Sequence, residues 1–476
     1  MTVRTLVGNF ASMASLRIAL AALTFAQFWL LSHRMNTGEL GGFSLLMNVF
    51  FMVQALPLLG LNVPLMRRIA AHPGAAPAEC SSSLCFALPV SVVLAAVLAG
   101  VGLTYRAQGL SIPFALLGLS MLPTAWTVVA ECVLIGQERM QGIAYVNMFE
   151  TLGRFLGAWA AIEMNAGLTG VFLVFVAMRC AAAAAYFLNP HVPKLRRLLV
   201  RRDLLATYRR ELPTYLSIAL VAALTTRIDI IVLSKLLSLR EAGIYAAASR
   251  LSDAALMVPT MAAVVIFPTQ SRLFANDPAV FARVLEQALR WCMISGFAMT
   301  VLVIALSPAL VHAIYSPHLA AAAPILQVLI LGATVMVLDQ LLSTTMMAAQ
   351  AQHTDLRSLS IGLGVLTVLL VLGAHFFGLV GAAAAPPAAL MVRVLYRMRW
   401  AQNALAVSLL GMAARIAVPA AAAIALVFAR PSPTMTVDLL LAFLAYAGLL
   451  WATRSIRGAD VAALRQLVTQ NRGLRT

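Results

Sequence analysis

The chain has 476 residues, 62% of them apolar and 11% charged, and a mean hydropathy of +0.91. A soluble domain is roughly half apolar and a quarter charged, whereas uncharged stretches of roughly 18 or more residues recur here along the whole length, which excludes a water-soluble globule. The net charge of +17, from 34 Lys and Arg against 17 Asp and Glu, would suggest nucleic acid in a soluble protein. In a membrane protein the positive-inside bias accounts for it first, and no nucleic-acid partner is expected.

At about 34 residues for one spanning helix and its connection, with roughly 20 in the span itself, the length accommodates about 14 spans and no sizeable soluble domain. The expected fold is an all-α polytopic membrane protein. The first apolar run, Asn9 to Leu31, is longer than a signal-peptide core and another follows almost at once, so it reads as an uncleaved first helix. In chain order, apolar windows bounded by charge, Pro, Gly or Asn predict helices over 9–32, 41–64, 83–104, 110–135, 143–162 and 167–189. They continue over 213–236, 243–269, 290–315, 324–348, 358–378, 380–397, 405–429 and 436–452. A short His375-Phe376-Phe377-Gly378 turn separates the eleventh from the twelfth, which Pro386 and Pro387 interrupt. The five cysteines, Cys80, Cys85, Cys132, Cys180 and Cys292, are scattered without metal-type spacing and read as small core residues.

Counted in alternate loops, 23 Lys and Arg share the side of the N-terminus and 5 lie on the other. Positive residues are retained in the cytoplasm, so both termini are expected there. The inner count includes Arg393 and Arg397, in the last turns of the twelfth predicted helix, and Arg399 just beyond it. The longest interior connection, His191 to Glu211, carries seven of those cations and reads as a solvated loop near anionic lipid. The expected organisation is an N-terminal six-helix half over 1–190, a basic cytoplasmic linker over 191–212 and a C-terminal six-helix half over 213–400. Two appended helices over 401–453 and a cytoplasmic tail over 454–476 complete it.

An internal repeat supports the two halves. Glu39-Leu40-Gly41-Gly42-Phe43 after the first helix and Glu241-Ala242-Gly243-Ile244-Tyr245 after the seventh both fit E-x-G-x-aromatic, 202 residues apart. Pro57 is answered by Pro259 at the same offset, and Pro64 with Arg68 by Pro268 with Arg272 at an offset of 204. Four matches in order, at equivalent places in two six-helix units, indicate duplication. Six is even, so both halves enter the membrane in one direction, and the pseudo-repeat is parallel about a central cavity.

No motif for covalent catalysis, metal binding or nucleotide binding occurs: there is no G-x-x-x-x-G-K-[ST], H-E-x-x-H, G-x-S-x-G or Cys/His cluster. No enzyme activity, metal site or cofactor is therefore expected. The unusual residues are the ionisable ones inside the spans: Arg17, Glu131, Glu150, Arg154, Arg179, Arg227, Asp229, Arg250, Asp253, Asp339 and Arg415. Each costs about 2.5–3.5 kcal/mol at a helix centre, so they are expected to face an aqueous cavity or one another. Glu150 and Arg154, four apart, and Arg250 and Asp253, three apart, share helix faces and can pair in place. Arg227 and Asp229, two apart, need partners on other helices or a ligand.

Leaving out Arg415, five Arg meet five acids, enough for full neutralisation by structural salt bridges. The alternative keeps Arg17, Arg154, Arg179, Arg227 and Arg250 available to an anion, because guanidinium grips phosphate bidentately and stays charged when partly buried. The acids Asp229, Asp253, Asp339 and Glu150 are either structural or able to take up a proton or Na⁺ and couple its gradient to transport. Asp339, with no local basic partner, is the preferred coupling candidate. His312 and His318, near an outer mouth, read as surface residues.

The two E-x-G-x-aromatic segments and the P-x-x-x-R ends of the second and eighth helices resemble the polysaccharide flippases of the multidrug/oligosaccharidyl-lipid/polysaccharide exporter superfamily. Gly243-Ile244-Tyr245, Ala247-Ala248-Ser249-Arg250-Leu251 and Ile266-Phe267-Pro268 extend the resemblance, which spans essentially residues 1–400. It implies a bacterial inner-membrane flippase that moves an undecaprenyl-diphosphate-linked oligosaccharide from the cytoplasmic to the periplasmic leaflet. Alternating access of the two halves would serve O-antigen, capsule or exopolysaccharide synthesis, with the polysaccharide polymerase machinery as a candidate partner. The Arg and Asp of helices seven and eight, with Arg17 and Arg154, become cavity candidates. Five acids against five Arg depart from a plainly cationic cavity. Two rivals belong to the same superfamily: a multidrug exporter, whose cavity acids would bind cations, and a peptidoglycan lipid-precursor flippase. A membrane-embedded glycan polymerase or ligase would need a large periplasmic loop, and the outer loops here are short.

Overall fold

The computed structural model describes residues 3–193, 202–255, 278–349, 351–405, 410–429 and 435–452, and the regular structure among them is entirely helical. Seven of the described helices are long and apolar enough to cross a membrane, or eight if one bent helix is a single span. The protein is a multi-pass membrane protein. It packs as two compact units, Met1–Ala246 and Ala247–Thr476.

The first unit begins with α1 (Val3–Arg34) and α2 (Thr37–Val53), followed by α3 (Asn62–Ala71), α4 (Ala76–Thr104), α5 (Ser111–Leu119) and α6 (Met121–Gly136). It continues with α7 (Met140–Glu163), α8 (Gly167–Leu188) and α9 (Arg202–Leu236). The second predicted helix, 41–64, is shorter than expected. A 3₁₀ turn at Leu56–Leu58 contains Pro57, and Leu59 and Gly60 take positive φ of 47° and 85°. Proline removes an intrahelical donor and left-handed residues cannot continue a helix, so α3 starts afresh. The fourth predicted helix divides at Ser120, because the ring of Pro123 crowds the carbonyl four residues before it, that of Leu119.

The glutamates of the repeated motif are helix caps. Glu39 N–H donates to Asn36 Oδ1 at 2.8 Å and the Glu39 carboxylate accepts from Asn36 N–H at 3.1 Å, a reciprocal capping box. At the start of the next copy, Glu241 N–H donates to Ser238 Oγ at 3.2 Å and the Ser238 hydroxyl donates back to Glu241 Oε2 at 2.9 Å. This opens α10, helical over 239–255. The motif glycines then meet: a Cβ on Gly41 would fall on the Leu239 carbonyl, and one on Gly243 would fall on the Thr37 carbonyl. The two copies cross backbone to backbone in a reciprocal contact.

Tyr208, early in α9, is 1% exposed and packs among Leu65, Ile69, Cys80 and Val129. Its hydroxyl donates to Glu79 Oε2 at 2.6 Å and lies 2.8 Å from Ser83 Oγ. Burial pushes the phenol above its ordinary range, so it remains a donor. Tyr208→Phe leaves a buried carboxylate short of one partner and is expected to lower stability by about 1–3 kcal/mol. Thermal melting of detergent-solubilised protein checks this, and an unchanged melt would remove the anchoring role.

The second unit contains α11 (Pro278–Ile314), α12 (Ala322–Ala348), α13 (Gln352–Leu405), α14 (Leu410–Ala429) and α15 (Met435–Ala452). Its core joins Leu285, Leu289 and Met293 of α11 to Leu341 and Leu342 of α12, with Ile416 and Tyr446 from the last two helices. The α13 stretch is too long for one crossing at 1.5 Å per residue and doubles back at Gly378, whose φ of 60° and ψ of −143° are not helical. Beyond that turn the arms are antiparallel: Gly373 lies against Gly381, Gly362 against Arg393 and Ser358 against Arg397. The expected turn at His375-Gly378 is thus found, and the second arm extends past the expected end at 397.

Candidate functional site

A cavity of about 420 Å³ lies inside the first unit. Phe50 and Phe51 of α2, with Val128 and Ile135 of α6, form its apolar wall, and Glu131, Glu150, Arg154 and Arg179 bring charge from α6, α7 and α8. Lipid is not a tolerable neighbour for a charge in mid-span, and the helices accordingly turn all four inward.

Arg179 Nη1 donates to Glu150 Oε2 at 2.9 Å, and its Nε donates to Thr124 Oγ1 at 3.3 Å. Arg154 Nη1 stands 3.8 Å from Glu150 Oε1. The local Glu150–Arg154 pair anticipated from spacing exists, but the nearer partner of Glu150 comes from α8. The Tyr186 hydroxyl donates to Glu131 Oε1 at 3.1 Å. Two Glu and two Arg leave the site formally neutral. Its hydrogen bonding is not saturated: Glu150 Oε1, Arg154 Nε and Asn62 Oδ1, all on cavity-lining side chains, are buried without a partner among the described residues.

Each of three intramembrane guanidiniums also lies over a phenylalanine ring. Arg154 is 5.4 Å from the Phe175 centroid, Arg179 5.2 Å from Phe50 and Arg227 5.1 Å from Phe51. Cation–π attraction offsets part of the lost hydration without neutralising the charge. Arg227 stands where α9 bends by 59° between Tyr215–Thr225 and Arg227–Leu236. The Thr225 hydroxyl donates to the Val221 carbonyl four residues back at 2.6 Å, an interaction that bends helices.

The unmatched pair Arg227 and Asp229 finds the partners on other helices that spacing called for. Arg227 Nη1 donates to Asn48 Oδ1 of α2 at 3.3 Å. Asp229 Oδ2 accepts from the hydroxyl of Tyr245, the motif aromatic of α10, at 2.7 Å. Arg17 lies in α1, and its side chain is outside the described residues. Arg250 and Asp253 are on the part of α10 that belongs to the second unit, and both are engaged.

Asp339 needs a correction. The sequence shows no basic residue near it, yet the α13 hairpin supplies two. Arg393 donates through Nε at 2.8 Å to Oδ1 and through Nη2 to Oδ2, and Arg397 Nη1 donates to Oδ1 at 2.5 Å and to the Asp339 carbonyl at 2.8 Å. Arg397 also reaches Asp355 Oδ1 at 2.7 Å and Ser358 Oγ at 2.9 Å. Arg393 and Arg397, counted from sequence on the cytoplasmic side at the end of the twelfth helix, lie in the second arm of α13, and Arg397 is 1% exposed. Sequence reading also missed Asn48, Thr124 and Tyr186. Only Tyr186 could have been found, since it lies two turns beyond Arg179 on the same helix face. Among the described residues no group of three or more His, Cys, Asp or Glu could hold a metal ion.

Bundled apolar helices around inward-facing charges are the arrangement of a polytopic membrane protein. Solved structures share the fold. A multidrug resistance MATE family transporter of the MOP superfamily, inward-facing, has a TM-score of 0.71 at 14% identity, over 83% of this chain and 98% of that one. The lipid II flippase MurJ, in an inward closed conformation, has 0.69 at 14% over 92% and 97%, and a Vibrio cholerae MATE transporter 0.51 at 14% over 83% and 98%. None of the curated proteins matches the sequence. The family described as polysaccharide biosynthesis protein matches residues 6–274, more than half of the chain, and the protein belongs to that family. At 14% identity, the likeness to the solved transporters and to the flippase is one of fold.

Proposed function

We propose that the protein is a flippase that carries an amphipathic, lipid-linked substrate between the leaflets of the bacterial inner membrane, with an undecaprenyl-diphosphate-linked oligosaccharide for surface polysaccharide as the first reading. The observation that carries the proposal is the membrane-embedded cavity in which Arg154 and Arg179 share Glu150. Diphosphate oxygens would accept from the two guanidiniums in place of that carboxylate, while the polyprenyl tail stays in the bilayer. A cation, proton or Na⁺, taken up at Glu150 would release an Arg to the anion and offers a route for coupling transport to an ion gradient. With the two arms of α13 counted separately, the reading has about fourteen crossings, six-helix halves over 1–190 and 213–400, two appended helices and cytoplasmic termini. The polymerase machinery is its candidate partner.

Two further readings have more support than the O-antigen or exopolysaccharide one, and a neutral rather than cationic cavity suits the exporter among them. These are a peptidoglycan lipid-precursor flippase and a cation-coupled multidrug exporter, and the fold likeness to MurJ and MATE transporters is in line with both. Deletion of the gene separates them. Loss of one surface polymer with its lipid-linked repeat units held on the cytoplasmic leaflet establishes the first reading. Accumulation of a peptidoglycan precursor, or intact glycans with greater sensitivity to cationic drugs, assigns the others.

Arg179→Gln, at normal membrane abundance, is expected to cut transport of a diphosphate lipid in reconstituted vesicles by roughly 10- to 100-fold. That is the loss of a charge-assisted hydrogen bond of about 1.5–3 kcal/mol. The double variant Arg179→Gln/Glu150→Gln keeps the cavity neutral and should be stable but equally slow; wild-type rates in it would sink the diphosphate contact.

A further inference from the structure

The outer face of the α13 hairpin carries a groove of about 320 Å³, lined by Ile361 from the first arm and by Val392, Leu395, Tyr396, Met398 and Arg399 from the second. Ile361, Val392 and Leu395 are exposed on it, as suits a wall that faces lipid tails. The hairpin register, in which Ser358 meets Arg397 and Gly362 meets Arg393, puts Arg357 level with Met398 and Arg399. Arg357 is also one helical turn from Ile361 on the same face. Two arginines therefore stand side by side at the end of the groove. Both are exposed, and neither takes part in an ion pair among the described residues. The nearby carboxylates of Asp339 and Asp355 are already held by Arg393 and Arg397.

We propose that this groove binds an anionic phospholipid, with the phosphodiester between Arg357 and Arg399 and one acyl chain along Ile361, Val392 and Leu395. The charge pattern selects the headgroup. Two adjacent guanidiniums without a carboxylate attract phosphate from both sides, and they repel the ammonium of a zwitterionic headgroup. Their alkyl stems can lie along the apolar wall while the charges reach the interface. The site is separate from the cavity of the first unit and does not depend on what that cavity transports.

Native mass spectrometry of the full-length protein, titrated with dioleoyl phosphatidylglycerol or dioleoyl phosphatidylethanolamine, tests the proposal. The wild type should retain phosphatidylglycerol in preference by about fivefold for each arginine. Arg357→Gln/Arg399→Gln should equalise the two lipids, and Arg357→Lys/Arg399→Lys should keep most of the preference. Removing two cations elsewhere, Arg209→Gln/Arg210→Gln, should leave it intact. Equal retention of both lipids by the wild type, an undiminished preference in the Gln variant, or an equal loss in the Arg209/Arg210 control overturns the proposal. So does displacement of phosphatidylglycerol by equimolar undecaprenyl diphosphate, which would give the groove to a polyprenyl lipid.

Discussion

Arg397→Ala is expected to destabilise the protein by about 3–5 kcal/mol, the range for removing one partner of a buried charge pair. Arg397 is 1% exposed and gathers the Asp339 carbonyl and carboxylate, the Asp355 carboxylate and the Ser358 hydroxyl. Without it, Asp355 keeps, among the described residues, the Ser343 hydroxyl at 3.2 Å, and its carboxylate loses its ion-pair partner. α12 and both arms of α13 are joined through this side chain, so the loss should appear as a lower melting temperature of the solubilised protein and as reduced membrane abundance. Replacing the pair together, as Arg397→Met/Asp355→Leu, should recover much of the loss, because apolar groups of similar volume carry no desolvation penalty. Arg357→Ala, on the exposed face of the same hairpin, should change stability by no more than about 0.5 kcal/mol. Near-wild-type melting of Arg397→Ala would show that the cluster does not hold the hairpin.

Gly41→Ala and Gly243→Ala should each prevent accumulation of folded protein. The added Cβ of the first falls on the Leu239 carbonyl and that of the second on the Thr37 carbonyl. Backbone cannot swing away as a side-chain tip can, so the penalty should reach or exceed about 3 kcal/mol, the upper part of the range for overpacking. Gly100→Ala and Gly364→Ala meet nothing within 4 Å and should be neutral or slightly stabilising, as expected where helix propensity alone changes. The comparison is made by fluorescence-detected gel filtration of tagged variants. Wild-type yield for Gly41→Ala would mean that the crossing of α2 and α10 is looser than the geometry requires.

The repeated E-x-G-x-aromatic motif was visible as a pattern, but its three defining positions do three different things. Glu39 closes a capping box with Asn36 and Glu241 bonds the Ser238 hydroxyl at the matching helix start, Gly41 and Gly243 permit a backbone crossing, and Tyr245 holds Asp229. The caps are local and could have been read from Asn36 and Ser238 standing three residues earlier. The crossing could not, because nothing in the spacing says which backbone a glycine will meet.

The charged residues divide in the same way. Composition and the order of apolar windows were enough to determine a multi-pass helical membrane protein, because the bilayer imposes length and hydrophobicity on every span. They were also enough to pick out Glu150, Arg154 and Arg179 as residues that could not face lipid. Tertiary structure alone decided the partners: Arg179 for Glu150 across α7 and α8, and Arg393 and Arg397 for Asp339 across the Gly378 hairpin. Periodicity reports which face of a helix is buried, but the identity of the facing helix and its register depend on packing between segments far apart in the chain.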